Sequence, residues 1–180
     1  MNFFSYRFYL PLIFLIGISC QKSKVIEIKN DQGKPLESAH YKEGKLNGER
    51  KLYEKGFIYS LENYKMDLFE GPYKVFYPNG QLQLECQYIH NEMSGTLKAY
   101  FPEGQLKEIV QMSGSQENGP FEEYYQNGKI KANGFYKNGP YEEGLLNLFD
   151  STGTLIKKMN CKEGICTTTW TLEMDSTKTK

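Results

Sequence analysis

The sequence has no excess of either charge and very little arginine. Its 180 residues contain 22 basic and 22 acidic side chains, so the net charge is zero. A nucleic-acid-binding surface needs clustered positive charge that displaces counterions, so we expect no nucleic-acid partner. The only arginines are Arg7 and Arg50, which nearly excludes bidentate clamps on phosphate groups. The length allows one ordinary domain or one short repeat array.

Recognisable catalytic motifs are also missing. The sequence contains no Gly-x-Ser-x-Gly, no P-loop and no dinucleotide fingerprint. The two histidines, His40 and His90, have no recurrent acidic partner and predict no metal site. Adjacent acids occur at Glu122-Glu123 and Glu142-Glu143, but neighbouring strand residues point to opposite faces, unlike the facing carboxylates of a glycosidase. We therefore expect no enzymatic activity, no metal and no cofactor.

The first twenty residues have the pattern of a secretory signal. Arg7 supplies the positive start, and an apolar run of about eleven residues from Phe8 to Ile18 is too short to span roughly 30 Å of hydrocarbon. The run ends in Gly17-Ile18-Ser19-Cys20, which resembles the lipobox of bacterial lipoproteins. That resemblance implies lipidation of Cys20, a membrane partner and a place in the cell envelope, on either face of the outer membrane. Ordinary secretion with cleavage nearby, or an uncleaved anchor, are the alternatives.

Glycines recur in two interleaved series with steps of 23 to 25 residues. The first series is Gly33, Gly56, Gly80, Gly104, Gly128 and Gly153, and the second is Gly48, Gly71, Gly95, Gly119 and Gly144. A third series lies eight residues after the first and is mostly tyrosine: Tyr41, Tyr64, Tyr88, Met112, Tyr136 and Cys161. Self-similarity at a fixed period predicts a repeat array. The last unit has one extra residue, and we expect a bulge or longer turn near Gly139-Pro140.

Within each unit the apolar residues alternate with polar ones. The segment Leu82–Tyr88 alternates throughout, and Pro78-Asn79-Gly80 before it has the residues of a tight hairpin turn. Each unit is therefore predicted to be a hairpin of two short strands. One hairpin is not stable alone, but five or six side by side can share an apolar face. The predicted fold is all-β, an elongated antiparallel sheet of tandem β-hairpin repeats of about 24 residues.

The predicted organisation has four parts. Residues 1–20 form the lipoprotein signal, 21–29 a polar tether, and 30–166 the repeat array. Residues 167–180 contain a capping strand, which includes the only tryptophan, and a frayed polar tail.

The clearest copy of the repeat is Tyr41-Lys42-Glu43-Gly44-Lys45-Leu46-Asn47-Gly48. The pattern resembles bacterial MORN-type repeats over roughly residues 30 to 165. The resemblance implies a non-enzymatic binding or scaffold protein, and the YwqK-like group with this repeat variant carries an antitoxin label, which is the alternative function. Met112-Ser113-Gly114-Ser115 departs from the pattern, so we expect the sheet edge to be irregular there.

The cysteines beyond Cys20 have separate expected roles. Cys161 and Cys166 flank a turn-like spacer, and facing positions across a hairpin allow a disulfide between them in an oxidising compartment. Cys86 shares the parity of Leu82 and Leu84, so we expect a buried thiol that behaves as a small apolar side chain.

One further series of apolar residues is a candidate binding surface. Phe76, Tyr100 and Tyr124 recur at intervals of 24 residues, within a wider series that adds Leu52 and Phe149. Side chains at that spacing should form a stripe along one face of the sheet. Aromatic stripes suit recognition of a protein or of a glycan such as the cell wall. The alternative is that the stripe packs under loops or shields the strand hydrogen bonds.

Overall fold

The computed structural model describes residues 22–173, and its named elements are all β-strands. In chain order they are β1 (Ser23–Lys29), β2 (Pro35–Lys42), β3 (Lys45–Glu54), β4 (Phe57–Lys65), β5 (Leu68–Phe69), β6 (Gly71–Phe76), β7 (Leu82–Ile89), β8 (Glu92–Tyr100), β9 (Leu106–Ser113), β10 (Gln116–Tyr124), β11 (Ile130–Tyr136), β12 (Gly144–Phe149), β13 (Leu155–Lys162) and β14 (Ile165–Thr171). The alternating pattern therefore predicted the all-β fold correctly.

The strands form one open antiparallel sheet of 14 strands in which each strand lies beside its neighbour in sequence. The single exception is the short strand β5, which pairs with the end of β4 while β4 continues its pairing to β6. Since the strand order in the sheet otherwise follows the order in the chain, the predicted tandem hairpins are confirmed. The stability of such an array comes from contacts between neighbouring units.

The turns at the two opposite ends of the hairpins are of different types. At one end are turns of the type Pro78-Asn79-Gly80, in which the Gly80 N–H donates to the Tyr77 carbonyl at 2.8 Å. At the other end are two-residue turns in which both residues have a positive φ, such as His90-Asn91 with φ of 51° and 71°. Such turns match the twist of a hairpin. Gly114-Ser115 forms the same turn, with φ of 58° and 62°, so the expected irregularity at Met112-Ser113-Gly114-Ser115 was wrong.

The two-residue turns also join one repeat to the previous one. The Asn91 N–H donates to the Phe69 carbonyl at 3.0 Å, and the Asn91 side chain accepts the Phe69 N–H at 2.7 Å. The same reciprocal pair links Ser115 to Met93, because the Ser115 hydroxyl accepts the Met93 N–H at 2.8 Å. A short side chain with an oxygen is sufficient for this bond, which explains why the departure from the repeat pattern does not disturb the edge.

The buried side chains lie on one side of the sheet, which we call face A, and the opposite side is face B. The buried apolar residues are Ala39, Cys86, Val110, Met112, Phe121, Ala132, Leu146 and Cys161. The second glycine series lies directly opposite the tyrosine series across the strands, as in the pairs Gly71↔Tyr88 and Gly119↔Tyr136. The two series seen in the sequence are thus the two halves of one cross-strand contact.

The boundaries of the array differ from the prediction at both ends. Ser23–Lys29, expected to be a tether, is strand β1 and pairs with β2. The apolar Ile26 faces the buried Ala39 there, which explains why this short segment is ordered as a strand. At the other end β14 begins at Ile165, inside the last hairpin and not after it. The predicted tail after residue 173 and the predicted signal up to Cys20 lie outside the described residues.

Two local features near the end of the array agree with the sequence pattern, an irregular segment and a disulfide. The chain leaves regular pairing between Tyr136 and Gly144, where only an isolated bridge joins Tyr136 to Glu142. Cys161 and Cys166 are direct cross-strand partners and are joined by a disulfide.

Candidate binding surface

The three predicted stripe residues lie in one row on face B. Phe76, Tyr100 and Tyr124 each end a strand, β6, β8 and β10, with one strand between consecutive members. Each follows a face A residue in its strand, and all three are half-buried. Consecutive rings are therefore two strand spacings apart, roughly 10 Å. Phe149 at the end of β12 continues the row.

The first member of the row is Tyr53 and not Leu52. Leu52 pairs with Ser60, which is completely buried on face A, and a register shift follows between Leu52 and Tyr53. The equivalent shift precedes Phe76 in the next unit, between Val75 and Phe76. The first step of the glycine series is 23 residues, whereas the next three are 24, so counting back 24 residues from Phe76 gave the wrong residue. We call Tyr53, Phe76, Tyr100, Tyr124 and Phe149 the aromatic stripe.

Hydrogen bonds hold two of the stripe rings against the sheet. The Tyr100 hydroxyl donates to Glu85 on the neighbouring strand at 2.8 Å, and the Tyr124 hydroxyl donates to Glu122 on its own strand. Burial and the bond to Glu85 raise the pKa of Tyr100 to about 12. The bond to Glu122 and burial raise the pKa of Tyr124 to about 12. Both hydroxyls therefore stay protonated as donors, and the Tyr100 side chain reaches across to β7.

The raised tyrosine pKa values predict a loss of stability at high pH. The pKa of Tyr64, Tyr73, Tyr100 and Tyr124 rises from 10.0 to about 12 in the folded chain. The folded state holds these protons more tightly than the unfolded state, so the tyrosines' contribution to stability is constant below pH 10 and is lost as the pH rises through 12. Tyrosinate absorbance should appear at higher pH in the native protein than in urea. Coinciding titration curves for the native and the urea-unfolded protein would contradict the prediction. The variant Tyr100→Phe should reduce the separation between the two curves.

A polar groove lies beside the stripe on face B. It crosses β6, β7 and β8, has a volume of about 470 Å³, and is lined by Pro72, Lys74, Glu85, Cys86, Gln87, Thr96 and Lys98. Glu85 lies opposite Lys74 on one side and Lys98 on the other. The Lys74 ammonium is 4.0 Å from the Glu85 carboxylate, and Glu85 also accepts the Tyr100 hydroxyl. The groove thus offers hydrogen-bond donors and acceptors next to an aromatic ring.

A pair of acids on face A was not found from the sequence. Glu108 and Glu123 are direct cross-strand partners. The corresponding pairs in the neighbouring units are apolar, namely Leu84↔Ala99 and Ala132↔Leu148. Within the described part of the chain Glu123 is paired with Lys131 at 2.7 Å, whereas Glu108 has no ion pair. Burial, then the charges of Glu123 and Glu117, raises the pKa of Glu108.

We expect Glu108→Leu to stabilise the protein. The ionised carboxylate is half-buried and faces a like charge, whereas the preceding repeat has Leu84 at this position. The substitution should raise the free energy of unfolding by about 1 kcal/mol at neutral pH. The gain should shrink as the pH falls and Glu108 is protonated. Urea unfolding tests this, with the exposed turn variant Glu103→Leu as control. A loss of stability would contradict it.

Arg50 is already occupied by carboxylates of the same chain. Its guanidinium forms two bonds of 3.0 Å to Glu37 and one of 3.2 Å to Glu62, a buried residue on face A. Those bonds, with Glu37 contributing most, raise the Arg50 pKa further. This arginine therefore stabilises strands β2 to β4 and is not presented to a ligand.

The remaining reactive residues are not brought together. The His40 ring lies 2.8 Å from the Glu49 carbonyl, and His90 is an exposed turn residue. Burial raises the pKa of the Cys86 thiol to about 11, so it stays protonated. Among residues 22–173, no group of three His, Cys, Asp or Glu side chains could hold a metal ion. The same residues include no helix long and apolar enough to cross a membrane.

Three segments of the chain match the family model of the MORN repeat variant, at residues 69–90, 93–113 and 117–138. These segments correspond to the hairpins β6–β7, β8–β9 and β10–β11. Repeats of this family generally serve as binding or scaffold modules. A search of the curated proteins gives no match. The same strand pairing continues on both sides of the matched segments, so the structure extends the repeat beyond them.

Proposed function

We propose that the protein is a lipid-anchored, non-enzymatic binding protein of a bacterial envelope, which holds a protein or cell-wall partner on face B. The observation that carries this proposal is the aromatic stripe: five rings in one row, on alternate strands of a sheet in which three hairpins match the family model. The lipobox-like sequence ending at Cys20 supports the anchor.

An anchor at Cys20 would hold the sheet close to the membrane. Strand β1 begins at Ser23, three residues after that cysteine, so the extended connection reaches roughly 10 Å at most. The later strands then lie progressively further from the anchored end, at about 4.8 Å per strand. The array would act as a spacer that displays the stripe along its length.

The anchor is tested by metabolic labelling with palmitate. Wild-type protein should carry the label and sediment with membranes. Cys20→Ala should lose both properties, and the matched control Cys86→Ala should keep them. A labelled Cys20→Ala variant would exclude this anchor.

The binding surface is tested by changing Phe76, Tyr100 and Tyr124 together to serine. The variant should lose retention on purified cell walls or on the captured protein partner. A control with two exposed residues away from face B changed to serine, Ile28 on face A and Met66 in a turn, should behave as wild type. Unchanged retention by the folded stripe variant would contradict the proposal. The antitoxin alternative instead predicts one partner, bound one to one, whose toxicity is suppressed on co-expression.

A further inference from the structure

The polar groove on face B and the rings beside it point to a particular ligand. We propose that Phe76, Tyr100 and the groove between β6 and β8 bind an extended β-1,4-linked polysaccharide of N-acetylhexosamines. This inference rests on the proposed function and names the partner of the same surface.

The first argument is the spacing of the rings. Phe76 and Tyr100 lie on β6 and β8, two strand spacings or roughly 10 Å apart, and Tyr124 continues the row at the same interval. An extended β-1,4-linked chain presents the same face of its sugars at every second unit, with a repeat of this order. A chain lying across the strands would therefore place alternate sugars over successive rings.

The second argument is the position of the Tyr100 ring. Its hydroxyl is bonded to Glu85 on the neighbouring strand at 2.8 Å, so the ring extends over the sheet instead of projecting from it. A ring held in this way offers a flat surface to the apolar face of a sugar. The bond also fixes the ring before binding, which reduces the entropy lost when a ligand stacks on it.

The third argument is the chemistry of the groove. Hydroxyl and amide groups of a sugar both donate and accept hydrogen bonds, and the groove supplies both kinds of partner. Glu85 accepts, Lys74 and Lys98 donate, and Gln87 and Thr96 can do either.

The charge of the groove argues against a polyanion. Lys74 already lies 4.0 Å from Glu85, so little unpaired positive charge remains. An ionic ligand would have to separate this pair or rely on Lys98 alone. A ligand that is mostly uncharged and rich in hydroxyl groups fits better.

The test is calorimetric titration of the full-length protein in detergent with a hexamer of β-1,4-linked N-acetylglucosamine. Wild type should bind it, and Tyr100→Ala should weaken the affinity by about tenfold or more. Tyr100→Phe keeps the ring and should stay within about threefold. Tyr141→Ala removes an exposed tyrosine outside the groove and should have no effect. If Tyr100→Ala does not fold, Glu85→Gln and Lys98→Ala should each weaken binding instead.

Comparison ligands decide between chemical classes. An α-1,4-linked glucose hexamer and inorganic polyphosphate should bind at least about tenfold more weakly than the β-linked hexamer. Equal binding of either compound, no binding of the β-linked hexamer by wild type, or binding that survives Tyr100→Ala would each overturn the inference. If the hexamer fails while a protein partner is still lost from the stripe variant, the proposed function stands and the glycan does not. If both fail, the proposed function falls as well.

Discussion

Replacing Phe121 by alanine is expected to lower the free energy of unfolding by about 3 to 5 kcal/mol. Phe121 is 3% exposed and lies in a buried apolar cluster on face A. Its ring stacks on Tyr136, with the centroids 4.1 Å apart, and packs directly over Gly134, which leaves room for no larger residue. A single-layer sheet has little material that can move into the space, so the cavity should remain open.

The Phe121→Ala substitution should also weaken the coupling between neighbouring repeats during unfolding. Trp170, the only tryptophan, lies in β14 and reports on the last unit, whereas far-ultraviolet circular dichroism reports on the whole sheet. In an array with nearest-neighbour coupling, a weak central unit should separate the two transitions in urea. Phe135→Ala, next to the same contact but 43% exposed on face B, is the control. Equal and small changes in the urea midpoints of the Phe121→Ala and Phe135→Ala variants would contradict the assigned role of Phe121.

The fold could be predicted because the repeat imposes the same local rules several times. Each glycine series, each alternating segment and each turn is a weak signal alone, but six units agree on one register. The strand that this reasoning missed is β1, which precedes the first full repeat. Its residues contain only a short alternating run between lysines, and its order depends on pairing with β2, a contact between segments that composition does not reveal.

The binding surface was predicted in part. The positions of Phe76, Tyr100 and Tyr124 follow from the period, but Tyr53 was missed because the first unit is one residue shorter. The Glu108–Glu123 pair was missed for a different reason. Acids were sought as neighbours in sequence, which point to opposite faces, whereas these acids meet across two strands. Aligning the repeats and asking where an apolar column changes to glutamate would have found them.

Among glycine-to-alanine substitutions in the array, Gly119→Ala should lower the free energy of unfolding the most. Gly119 has a φ of +141°, a conformation that residues with a Cβ rarely adopt, and it is buried opposite Tyr136. A Cβ there would lie 2.6 Å from the Gln111 Cβ, on the adjacent strand. Backbone strain and overpacking together should lower the free energy of unfolding by about 3 kcal/mol or more. Urea unfolding followed by circular dichroism measures this.

Other glycines of the two series provide graded controls. A Cβ at Gly128, in a turn, would meet nothing within 4 Å, so Gly128→Ala should cost only about 1 kcal/mol through its φ of +79°. Gly48→Ala should be intermediate, because the nearest atom, the His40 Cβ, is 3.0 Å away. Twenty-four residues after Gly144, the last glycine of the second series, the chain has Thr168 in β14, and Thr168 has no positive φ. There the described sheet ends, and the requirement for glycine ends with it. Equal costs at Gly119 and Gly128 would show that the close approach of neighbouring strands does not explain the second glycine series.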